Sequence, residues 1–232
     1  MIAEAFRYAL YLIPEPQTLL WRTGSALLGY DAATGETLRQ PVPDGLDAEA
    51  LAQMTAEPRR YGFHMTVKAP FRLAQGHEPQ DLVEAVHEMR RDHPPFSLGA
   101  LQVRSRPVVG EETGFLCLEP DGIPEALAAL ERDVVTGLDR FRAPLTPEEI
   151  ARRAPDRLTP RQQALLDAFG YPFVLDEFRP HFSLTGRIAT CDRDLDGFRS
   201  ILAPALRDAV DRRYRLALFV QHQPDGAFRL AD

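Results

Sequence analysis

Two tetrads in the chain join an imidazole to a hydroxyl at one spacing: His64-Met65-Thr66-Val67 and His181-Phe182-Ser183-Leu184. Strand side chains alternate between faces, so in each tetrad the histidine and hydroxyl share one face and the apolar pair takes the other. The same alternation adds Lys68 to the face of His64 and Thr66, and Thr185 with Arg187 to that of His181 and Ser183. Histidine gives or takes a proton near neutrality, while hydroxyls and cations stabilise charge gathering on a phosphoryl group. Two such stripes around one substrate would supply an acid, a base and anion ligands. A single tetrad recurs by chance, but here both follow a basic-aromatic run, Arg59-Arg60-Tyr61-Gly62-Phe63 and Phe178-Arg179-Pro180, and both precede a helical pattern.

The elements that must hold these residues follow from periodicity and punctuation. Phe6 to Ile13 reads as a strand stopped by Pro14, and residues 15 to 58 as a long irregular connection with one helix around Leu46 to Thr55. Motif strands are expected over Phe63 to Ala69 and Arg179 to Ile188. The first leads to a helix over 79 to 91 and strands at Phe96 to Val103 and Gly114 to Leu118, with a second helix over Pro124 to Leu138. The second leads to a helix over Asp194 to Val210, interrupted at Pro204, and strands at Tyr214 to Gln221 and Ala227 to Leu230. Motif strand, helix, strand, turn and strand therefore occur twice, offset by 181 − 64 = 117 residues. This is an α+β chain duplicated in architecture, with one lobe over about 14–120 and another over about 176–232, exchange of the N-terminal strand being allowed. Between them an insertion over about 143–172 carries two capping boxes, at Thr146 to Glu149 and Thr159 to Gln162, each with proline at the first helical position. It reads equally as a lid over the cleft and as a brace on a sheet edge.

Composition narrows the partners. With 44% apolar and 26% charged residues in 232, the chain is an ordinary globular one, and its net charge of 27 − 34 = −7 argues against holding long nucleic acid. Residues 57 to 72 nevertheless carry Arg59, Arg60, Lys68 and Arg72 against Glu57, or 4 − 1 = +3, which suits a small phosphorylated substrate. Lys68 is the chain's one lysine; with Arg60 and Arg179 it is a candidate for binding a further phosphate. Cys117 reads as core in a strand and Cys191 as a loop thiol, neither in a metal spacing. Tyr8 and Tyr11 point to opposite strand faces, His87 and His93 are expected at the surface, and Trp21 and Tyr30 in packing. No HxH or HExxH run is present, and neither metal nor cofactor is expected. Without an apolar leader or an 18-residue apolar run, the expectation is a soluble cytoplasmic protein with no membrane partner.

The paired tetrads within a duplicated α+β chain resemble the 2H phosphoesterase superfamily. The stretches RYALYLIP, GFHMTVKAPFRL and FRPHFSLTGRI are similar to its branch associated with bacterial phosphonate-utilisation operons. The resemblance spans nearly the whole chain and implies a bilobal fold: two antiparallel sheets facing a central cleft, helices outside, and a metal-independent site made by His64, Thr66, His181 and Ser183. It also implies hydrolysis of a small cyclic phosphate, with phosphoribosyl 1,2-cyclic phosphate as the candidate substrate. The alternatives are a 2′,3′-cyclic nucleotide, an RNA-end phosphodiesterase or ligase acting on a short RNA end, and a module that binds a phosphorylated ligand without turning it over.

Overall fold

A computed structural model describes residues 4–108, 113–189 and 192–231. In chain order it runs β1 (Arg7–Pro14), α1 (Leu19–Leu28), β2 (Tyr30–Asp31), β3 (Glu36–Thr37), α2 (Ala48–Met54), α3 (Ala56–Arg59), β4 (Met65–Phe71), α4 (Pro79–Asp92) and β5 (Leu101–Pro107). It continues with β6 (Gly114–Pro120), α5 (Glu125–Gly137), α6 (Pro147–Ala151), α7 (Pro160–Phe169), β7 (Phe182–Ser183), α8 (Asp192–Ala209), β8 (Tyr214–Gln221) and β9 (Arg229–Leu230). The α+β class expected from the periodicity holds.

Seven strands form one antiparallel sheet in the order β5-β6-β7-β4-β1-β8-β9, and β2 and β3 form a separate ribbon. Two sheets facing each other were expected; instead the motif strands are direct neighbours, joined through Met65 and Phe182. Outward from that junction the order is the same on both sides. Each motif strand is flanked by the strand that opens its own half, β1 beside β4 and β6 beside β7, and then by a strand from the opposite half. Thus β4 leads through α4 to β5, which lies beyond β6, while β7 leads through α8 to β8, which lies beyond β1. Taken as β1 to β5 and β6 to β9, which groups β6 with the second motif and not with the lobe read for it above, the halves exchange the strands that follow their motif helices, β5 and β8.

β1 lies deep in the sheet because its sequence tolerates burial on both faces. Every residue from Tyr8 to Pro14 is buried, and the aromatic and branched run has no charge after Arg7. α1 was not foreseen in the irregular stretch. The Thr18 hydroxyl accepts from the Trp21 amide to start the helix, Gly29 at φ 76° ends it, and Gly24 sits inside it for a packing reason. A Cβ on Gly24 would stand 2.4 Å from the Phe63 ring. Glycine thereby lets α1 lie against the residue before His64.

β5 starts five residues later than the alternation suggested, since Phe96 forms an isolated bridge to Tyr214 and Gly99 turns away at φ 68°. α8 passes through Pro204 without interruption. The second motif strand is much shorter than expected. The Leu184 and Thr185 amides both donate to the Leu116 carbonyl and Gly186 donates to Met54, so the chain leaves the ladder after Ser183. Both capping boxes form as read, and Gly170 closes α7 at φ 71°. Cys117 is buried in β6, whereas Cys191 lies outside the described residues. Trp21 and Tyr30 do pack: the indole donates to Asp31 and the phenol to the Phe228 carbonyl.

Candidate active site

Register brings the four tetrad side chains together. With Met65 opposite Phe182 in an antiparallel pair, His64 stands opposite Ser183 and Thr66 opposite His181. All four lie on the face away from the buried Met65 and Phe182. Opposite residues have Cβ atoms about 4.5–5.5 Å apart and diagonal ones about 7–8 Å, so the histidines flank a square with hydroxyls at its other corners.

Each histidine is oriented by the carbonyl two residues before it. His64 Nδ1 is 3.0 Å from the Gly62 oxygen, and His181 Nδ1 is 2.7 Å from the Arg179 oxygen. A carbonyl only accepts, so Nδ1 carries the hydrogen in both rings and Nε2 is left for chemistry. His64 Nε2 lies 3.1 Å from Thr66 Oγ1 and accepts its hydroxyl hydrogen. Gly62 can turn its carbonyl onto the ring because it adopts φ 76°, where a side chain would also meet Ala32 Cβ at 2.7 Å.

The neighbours differ. His64 stacks on Tyr11 with ring centroids 3.6 Å apart and tilts toward Tyr61 at 6.2 Å. Burial brings its pKa down to about 4, with the Gly62 bond opposing and the nearby His181 adding to the drop. His181 lies 5.3 Å from Phe115 and is likewise lowered, first by burial; the Arg179 carbonyl opposes this, Arg106 adds to it, and Glu119 pulls the other way. Register puts Glu119 opposite His181 and Cys117 opposite Ser183. Burial alone would raise the Glu119 carboxyl, but hydrogen bonds from Arg106 and from the Cys117 thiol at 3.0 Å hold it below its ordinary range. The Cys117 thiol is pushed well up, by burial first and by Glu119 second.

The expected phosphate ligands fare unequally. Lys68 is buried and committed to an ion pair with Asp139 at 2.9 Å and to the Val135 carbonyl, so it does not line an open stripe. The local +3 patch is likewise tied up: Arg59 donates to the Leu28 carbonyl and to Gln40, and Arg72 pairs with Glu149. Arg60 donates to Pro224 and lies 3.7 Å from the exposed Asp225. Arg179 pairs with Glu177 at 3.3 Å and covers Phe173 at 4.7 Å. Thr185 is buried and accepts from the Leu116 amide. His93, expected at the surface, is partly buried against Asp133 at 3.0 Å; His87 is exposed.

Sequence reasoning missed Glu119, Arg106 and Arg7, and it placed Tyr61 only within the basic-aromatic run. Arg153, just after α6, lies over Tyr171, just after α7, at 5.0 Å, and both sense Tyr11 electrostatically. Parity along β1 could have grouped Arg7 with Tyr11, but choosing their face required the β4 pairing. Among the described residues no three histidine, cysteine, aspartate or glutamate side chains gather as metal ligands would, and no helix is long and apolar enough to cross a membrane. A surface hollow of about 630 Å³ lined by Ala26, Arg39, Gln40, Pro41, Val42 and Ala48 involves none of the tetrad residues.

Comparison with known proteins adds a second line. The model of a family described as "Protein of unknown function (DUF1045)" matches residues 66–229. Two similar proteins carry the name ribose 1,5-bisphosphate phosphokinase PhnN. One, from Janthinobacterium sp. (strain Marseille), is 36% identical over 189 residues, covering 82% of this chain and 40% of the relative. The other, from Laribacter hongkongensis (strain HLHK9), is 34% identical over 232 residues, covering 97% of this chain and 50% of the relative. The chain thus spans half or less of the length of these relatives.

Proposed function

The chain belongs to the DUF1045 family, and from that premise we propose that it is a metal-independent cyclic phosphodiesterase of the 2H phosphoesterase type, acting in phosphonate catabolism. The observation that carries this is the cross-strand square, with one oriented imidazole on each diagonal corner and one hydroxyl beside each. In the reaction, His64 Nε2 takes a proton from water as the water oxygen forms a bond to phosphorus. The ring P–O bond breaks, and His181 Nε2 delivers a proton to the departing alkoxide. Thr66 and Ser183 donate to the non-bridging oxygens, which gather charge in the transition state.

The surroundings favour this division of labour. His64, held neutral by burial, suits the base, and His181, facing the ionised Glu119, suits the acid. The candidate substrate is 5-phosphoribosyl 1,2-cyclic phosphate. Breaking its bond to the 2-oxygen yields ribose 1,5-bisphosphate, the compound in the name of both relatives. A phosphokinase reading of this chain finds little support, since its one lysine is buried against Asp139 and no G-x-x-x-x-G-K run exists.

The test is phosphorus NMR of the purified protein in EDTA with this compound and with nucleoside 2′,3′-cyclic phosphates. Turnover that persists in EDTA and disappears in His64→Ala and His181→Ala is expected. Binding without turnover would reduce the protein to a recognition module, and loss of activity to EDTA would overturn the metal-free mechanism.

A further inference from the structure

Beside the square lies a second group of donors that the chemistry above does not use. The Tyr11 ring is fully buried against His64, yet its hydroxyl, itself buried, has no hydrogen-bond partner among the described residues. Burial raises the pKa of this phenol first, and Tyr61, Arg7, Tyr171 and Arg153 also act on it electrostatically. The Tyr11 ring also lies 6.3 Å from that of Phe228, which Arg7 covers from 5.9 Å.

Those arginines are unusual in their company. Arg7 hydrogen-bonds Gln221 at 2.8 Å and lies over Phe228 at 5.9 Å; Arg153 lies over Tyr171. Neither pairs with a carboxylate among the described residues. Arg7 is also crowded by Arg60 and Arg152, which add to the lowering of its pKa by burial. Among the described residues Arg60 has only the exposed Asp225 as an ion-pair partner, and Arg152 has Glu148 in its neighbourhood. Like charges gathered over aromatic rings repel one another until an anion sits among them. A buried hydroxyl without a partner likewise favours an acceptor.

We propose that Arg7, Arg153 and the Tyr11 hydroxyl form a second anion subsite, which holds a phosphomonoester on the same substrate whose cyclic phosphate lies in the square. This inference rests on the two-histidine reading and deepens it: the substrate class is a cyclic phosphate bearing a separate phosphate, joined by a short spacer. Two of the three donors belong to β1, within the sheet, and the third comes from the insertion between α6 and α7. The insertion is then part of the binding site.

The experiment compares kcat/KM for 5-phosphoribosyl 1,2-cyclic phosphate and for the same compound lacking the 5-phosphate, in wild type, Arg7→Ala, Arg153→Ala and Tyr11→Phe. The last keeps the ring stacked on His64 and removes only the hydroxyl. Wild type should prefer the phosphorylated compound, and each arginine variant should cut that preference about tenfold or more, Tyr11→Phe by a smaller factor. A preference unchanged in both arginine variants overturns the subsite. Should wild type turn over neither compound, the two-histidine reading fails separately. Calorimetric titration with ribose 5-phosphate then decides the subsite: binding weakened about tenfold in Arg7→Ala and Arg153→Ala upholds it, and no binding to wild type rejects it.

Discussion

His64 and His181 each rest Nδ1 on the carbonyl two residues upstream, yet one ring lies flat against Tyr11 and the other stands across the ladder from an ionised carboxylate, Glu119. The tetrads are near copies; the strands beside them are not. β1 gives its motif a buried aromatic wall, whereas β6 gives its motif Cys117 and Glu119, which Arg106 of the next strand, β5, joins. In the proposed reaction, repetition of a motif would supply two proton-transfer groups, and the flanking strand would divide them into base and acid.

Removing the imidazoles tests that division most severely. His64→Ala and His181→Ala should each lower turnover by a factor of about 10²–10⁴. A phosphodiester whose leaving group is an acidic phenol needs no proton on departure, so initial rates with it should recover in His181→Ala and stay low in His64→Ala. Equal recovery in both would erase the distinction. Next comes the third residue of each stripe. Lys68→Ala opens a buried ion pair and should cost about 3 kcal/mol in urea unfolding, while Thr185→Val, which leaves the Leu116 amide unpaired, should cost about 1–2 kcal/mol. A larger loss in Thr185→Val would reverse their ranking.

Stability against pH distinguishes the rings by another route. Folding favours neutral His64, whose pKa falls from its ordinary 6.5 to about 4. Its contribution is complete above pH 6.5 and is lost as the pH falls toward 4, up to about 3 kcal/mol. Urea midpoints at pH 7 and pH 4.5 should therefore differ less in His64→Leu than in wild type. The smallest expected effect sharpens the contrast from the other side. Glu119 raises the pKa of His181, so Glu119→Gln should move the alkaline limb of the kcat/KM profile to lower pH and leave the acid limb in place. Movement of the acid limb would reassign the roles.

Much of this site was legible before any coordinates. Two-residue alternation put His64 with Thr66 and His181 with Ser183 on shared faces, and the pairing of Met65 with Phe182 joined those faces into one. Alternation failed where the backbone departed from a regular strand, as it does after Ser183, and it could not tell that Lys68 would meet Asp139 from 71 residues away. Local charge misled for the same reason. Arg59, Lys68 and Arg72 are near the motif in sequence but tied to structural partners, while Arg7 and Arg153 of the proposed subsite belong to segments distant from the motif. α1 escaped notice because its glycine answers to the Phe63 ring, a tertiary contact with no local signature.

The exchange of β5 and β8 between the halves bears on how the protein comes to be. β1 is sandwiched between β4 and β8, and its register with β8 joins Arg7 to Gln221, so the sheet cannot close until nearly the whole chain is available. Pairings of such long sequence separation fold slowly, because a large loop must be ordered before they form. A chain emerging from the ribosome therefore presents His64 long before that histidine acquires a partner, and the cross-strand square is assembled only after the second tetrad has been made.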